Sequence, residues 1–152
     1  LNSPGLRALA FDLFAFDLFA APRDRYDFLD WISRNFRAAD GPLAGDPSRL
    51  TPALQAWHRE MSRTFPGATD PHRFDIDSPQ AVRNASYSFA QNAVQASFDW
   101  DSSSPALYRA KRAAQAHGVG FFEACGHDGA VWMISPRGRW EIVHRNDDRA
   151  RG

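Results

Sequence analysis

The short run from Glu123 to Asp128 places a carboxylate, the thiol of Cys125, the imidazole of His127 and a second carboxylate close together. A thiol beside an imidazole is the pairing used for a nucleophile and its base, and the same two groups are zinc-type ligands. This supports one reading of the chain, a small hydrolase or metal-dependent enzyme working through Glu123, Cys125 and His127. The bland reading competes directly. Gly126-His127-Asp128-Gly129 has the composition of a hairpin turn, which would leave His127 solvated and Cys125 an incidental half-buried thiol. No second Cys/His pair elsewhere completes a zinc set. The expected catalytic set is none, with no cofactor and no metal.

A second constellation is Asp99-Trp100-Asp101 ahead of Ser102-Ser103-Ser104. Paired carboxylates can hold a hard cation or trade protons. The same residues also suit a helix approach, where acids and hydroxyls satisfy unpaired backbone N–H groups. A third is the polar stretch from Ala68 to Pro79 with Asp70, Asp75 and Asp77, the longest irregular region, of the kind that carries function more often than scaffold. Together Asp70, Asp75, Asp77, Asp99 and Asp101 are the candidate partner contacts, able to mimic a polyanion or pair with a basic cleft. The arginines near the C-terminus, from Arg137 to Arg151, are diluted by Glu141, Asp147 and Asp148 and read as a solvated face.

Composition narrows the class. Lys plus Arg equals Asp plus Glu at 18 each, so no global field draws nucleic acid or an anionic membrane. One cysteine excludes an internal disulfide framework and fits a reducing, cytoplasmic compartment. The Ala8 to Ala21 segment is apolar, but Asp12 and Asp17 interrupt it, so it reads neither as a signal peptide nor as a membrane span. With 152 residues, 12 Phe and 5 Trp, one domain over 1–152 with a substantial core is expected, its ends loose at 1–7 and 146–152.

The elements that would position these groups follow in order. Ala10-Phe11-Asp12-Leu13-Phe14 is duplicated as Ala15-Phe16-Asp17-Leu18-Phe19, a spacing that matches neither helix nor strand. Apolar residues on both faces predict a buried central strand near Ala8 to Phe16, covering one copy or broken by a bulge. Phe28, Leu29, Ile32 and Phe36 predict a helix from Arg23 to Arg37. Thr51-Pro52 opens a second, with Leu54, Trp57, Met61 and Phe65 as its buried stripe. Phe74 and Ile76 suggest a short strand. Alternation in 85–90 and in 94–100, the latter running to Trp100, predicts a hairpin with one wet face. Ser104-Pro105 begins a third helix ending at Gly118, followed by strands at Val119 to Ala124, Ala130 to Ile134 and Trp140 to His144. The expected fold is α+β, two-layered, with a mostly antiparallel sheet of five to six strands and three helices on one face.

Several of these segments resemble a family of small, mostly uncharacterised bacterial proteins. They are Phe11-Asp12-Leu13-Phe14, Ala21-Pro22-Arg23-Asp24-Arg25 with Phe28-Leu29, Thr51-Pro52-Ala53-Leu54 with Trp57, Met61 and Thr64-Phe65-Pro66, Phe98-Asp99-Trp100, His117 through Phe122, Asp128-Gly129 and Val131-Trp132. The similarity runs from about Ala8 to Ile134, and residues after Ser135 depart from it. It implies a cytosolic protein, some relatives resembling immunity partners of interbacterial toxins, and it brings no catalytic residues. The leading expectation is therefore a non-enzymatic module that binds a cognate protein toxin, with the enzyme above as its rival. An oligomeric scaffold, a homodimer pairing through a hairpin edge, is a third reading.

Overall fold

The computed structural model describes residues 11–36, 45–126 and 128–146. The chain runs β1 (Phe11–Phe16), α1 (Arg25–Asn35), α2 (Pro52–Thr64), β2 (Ala85–Ala90), β3 (Ala93–Phe98), α3 (Ser103–His117), β4 (Gly120–Phe122), β5 (Val131–Ile134) and β6 (Trp140–His144), with short 3-10 turns at Pro47–Arg49, Pro79–Arg83 and Trp100–Ser102. The strands form one sheet in the order β2-β3-β1-β4-β5-β6. Every neighbouring pair is antiparallel. This is an α+β fold.

β1 is central because both of its faces are apolar. Phe11, Leu13 and Ala15 join α2, α3 and Phe98 in one core, while Phe16 joins Phe28 and Ile32 of α1 in the other. The three helices therefore divide between the faces, α2 and α3 on one side and α1 on the other. The expected single helical layer is corrected here, and the reason lies in β1. A strand with large apolar groups pointing both ways needs cover on both sides. β1 also settles the duplication, since the strand runs without a break through residues 11–14 of the first copy and Ala15-Phe16 of the second and stops there. Asp17 then turns the chain, its carboxylate accepting the Phe19 N–H at 2.7 Å.

The helices form where their stripes and caps predict. Asp24 caps α1 by accepting the Asp27 N–H at 3.0 Å. Leu54, Trp57 and Met61 are fully buried along α2. Opposite them α3 presents Ala106, Ala110, Ala113 and Ala114, all fully buried. These small residues let the helix backbones approach closely enough for Trp57 Nε1 to donate to Ala110 O at 3.1 Å. Gly118 ends α3 with φ of 70°, a left-handed conformation that a Cβ disfavours.

Two local expectations change. Phe74 and Ile76 form no strand. Asn84 supplies what a strand partner would have, accepting the Phe74 N–H and donating to Phe74 O, both at 2.9 Å. Trp100 leaves the β3 alternation, lies in a 3-10 turn and is 49% exposed. At the other end Asn146, expected in a loose tail, is tied down. Its N–H donates to Asp128 O at 2.7 Å and its side-chain oxygen accepts from Arg25 Nη2 at 2.6 Å. Residues 1–7 and 147–152 lie outside the described residues.

Candidate functional site

The groove that matters here lies where the 73–84 loop meets the ends of β2 and β3. Arg73, Ile76, Val82, Ser97, Asp99 and Trp100 are among the residues that line its volume of about 720 Å³. It exists because two turns are fastened together. Ser102, only 3% exposed, donates its hydroxyl to Val82 O at 2.6 Å. The Asn84 clasp on Phe74 holds the outer wall. Trp100 leans edge-on against Phe11 with ring centroids 5.4 Å apart, so its remaining surface is presented in one orientation.

The acidic candidates fall into two groups. Asp99 lines the groove, Asp101 follows Trp100 on the same turn, and Asp75 and Asp77 flank the lining residue Ile76 in the chain. Their turns are self-capped: Asp75 Oδ1 accepts the Asp77 N–H at 3.2 Å and Asp99 Oδ1 accepts the Asp101 N–H at 2.9 Å. Asp70 lies apart. Its carboxylate accepts the His72 N–H at 2.8 Å and acts electrostatically on His58 and Tyr87. Of the five acids Asp99 is thus the one among the lining residues, Asp75, Asp77 and Asp101 each adjoin a lining residue in the chain, and the Asp70 charge acts on the α2 side.

Around His58 the environment is aromatic. Its ring meets those of Tyr87 and Phe89 edge-on at 4.7 and 4.8 Å. Burial holds its pKa below the usual histidine value, opposed by the Asp70 charge and reinforced by Arg59. Burial likewise raises the Tyr87 phenol above its usual range, and that hydroxyl donates to Phe65 O at 2.8 Å.

Of the thiol-imidazole candidate, Glu123 and Cys125 are among the described residues. Glu123 is committed, its Oε2 accepting from Trp132 Nε1 at 2.7 Å and pairing with Lys111 Nζ at 3.1 Å. Lys111 also sits over the Trp132 ring at 4.7 Å. Cys125 is exposed, and its Sγ accepts the Asp12 N–H at 3.3 Å. His127 lies outside the described residues. Among the described residues no group of three or more His, Cys, Asp or Glu is placed to hold a metal ion, and no helix is long and apolar enough to cross a membrane.

Comparison of the chain with family models, curated proteins and solved structures finds no match. Function therefore has to be read from the groove itself. Sequence reasoning missed its apolar part, Ile76, Val82 and Trp100, which are 74%, 36% and 49% exposed. One signal was available, since Ile76 stands between two aspartates in a loop bounded by Pro71 and Pro79, where an apolar side chain has little chance of burial.

Proposed function

We propose that this chain is a non-enzymatic protein-binding module, an immunity protein that binds and neutralises a cognate bacterial toxin. The observation that carries the reading is a groove lined by Asp99 and by the exposed apolar residues Ile76, Val82 and Trp100, with Asp75, Asp77 and Asp101 next to lining residues in the chain. Exposed apolar surface rimmed by polar groups is the usual mark of a protein-interaction site. A rigid scaffold beneath it lowers the entropy of association, because the contact residues are already ordered. Asp75, Asp77, Asp99 and Asp101 supply charge for steering and selectivity, and the apolar residues supply the area.

The test is co-expression and co-purification with the product of the adjacent gene. A stoichiometric complex that abolishes the toxicity of that product is expected. The double variant Asp99→Asn, Asp101→Asn should weaken the complex by about tenfold, chiefly through slower association at low salt. A neighbouring product that neither binds nor is neutralised would sink the immunity reading.

A further inference from the structure

We infer that the groove takes a basic segment of its partner, one that seats a large apolar side chain among Ile76, Val82 and Trp100 and flanks it with arginine or lysine; this rests on the protein-binding reading and names the chemistry of the occupant. Two independent observations lead there.

The first is the apolar part. Ile76, Val82 and Trp100 line the same groove while remaining 74%, 36% and 49% exposed. Trp100 is oriented by Phe11, and Val82 is fixed through its carbonyl by Ser102. An apolar side chain arriving there is desolvated against a preformed surface.

The second is an asymmetry of charge. Arg73, which lines the groove, and Arg83 beside it each donate to a backbone carbonyl. Arg73 Nη1 donates to Ala85 O at 3.1 Å, while Arg83 Nε donates to Thr64 O at 3.2 Å with its guanidinium 4.9 Å from the Phe74 ring centroid. Among the described residues, no cation lies within ion-pairing distance of Asp75, Asp77, Asp99 or Asp101. Asp75 and Asp99 each use one carboxylate oxygen to cap their own turn, which leaves the other for an outside donor. A guanidinium or ammonium beside an apolar patch meets these carboxylates where water screens them less. A nucleic acid or an acidic peptide meets like charge instead, so the occupant is cationic.

The experiment is selection of a random-peptide display library on the full chain, with Ile76→Ser and the double variant Asp75→Asn, Asp77→Asn as comparators. These side chains are exposed and leave the cores untouched. Enriched peptides should carry net positive charge around one aromatic or aliphatic residue. They should bind each comparator about tenfold more weakly and lose about tenfold in affinity between ~0.05 M and ~0.3 M salt. Acidic or neutral winners, winners indifferent to both comparators, or no enrichment at all would overturn the inference. If that happens while the adjacent gene product still binds, only the basic-segment inference falls. If basic peptides win and the adjacent product is neither bound nor neutralised, the immunity reading falls and the groove chemistry stands.

Discussion

Ser102 Oγ donates to Val82 O at 2.6 Å, and this bond joins the 3-10 turns at Pro79–Arg83 and Trp100–Ser102, both of which contribute residues to the groove. Ser102→Ala removes the only hydroxyl in that contact and should lower stability by about 1 kcal/mol. In urea titrations the midpoint should fall with the slope unchanged. Hydrogen exchange should quicken at Ala81 and Asn84, whose N–H groups close the 79–83 turn onto Ser78 O and Ala81 O. An unchanged exchange pattern would mean that packing alone holds the turns together.

Asn84 acts on Phe74 as both donor and acceptor, a pairing only a carboxamide of this length provides. Asn84→Asp keeps the acceptor, loses the donor and adds a charge beside the Phe74 carbonyl. It should cost more than Asn84→Ala, on the order of 2 kcal/mol against about 1 kcal/mol. Thermal melts of the two variants decide the order.

His58 makes stability depend on pH. Its folded-state pKa lies below the ordinary 6.5 because burial disfavours the charged ring. The unfolded chain therefore takes up the proton first as pH falls. The contribution is complete above about pH 6.5 and is lost as pH drops toward the lower folded-state value. The difference in stability between wild type and His58→Gln should shrink between pH 7.5 and 5.5. A constant difference across that range would show that the ring does not titrate as its burial requires.

Gly120 sits where a Cβ would overlap the ring of Phe16, and Phe16 is fully buried against Phe28. Gly120→Ala must push that ring, destabilising the fold by about 1 to 3 kcal/mol. The variant Phe16→Leu, smaller at the same point, should lessen the penalty of Gly120→Ala when the two are combined. A double-mutant cycle measures this, and additive effects would show that the glycine is not there for the ring.

Much of the scaffold was legible because it obeys local rules. The α2 stripe from Leu54 to Phe65, the Gly118 stop and the β2-β3 hairpin each follow from periodicity or from one residue's backbone preference. The misread places share a different cause. Phe74 and Ile76 looked like a strand because their types suit one, yet the Phe74 backbone groups are satisfied by Asn84, ten positions away, which no pattern of spacing announces. Trp100 continued an alternation that ended at Phe98. Asp70 carried the same charge as Asp75 and Asp77, but its charge acts on His58 and Tyr87.

By itself the sequence determined the α+β class, the order of helices and strands, the caps and the inward stripes, since these depend on side-chain period and backbone preference within a few residues. Only the tertiary structure decided that α1 covers one face of the sheet and α2 with α3 the other, and that Asp99 and three exposed apolar side chains line one groove. Those outcomes depend on strand register and on single long-range hydrogen bonds such as Ser102 to Val82, whose partners the chain brings together only when the sheet has closed.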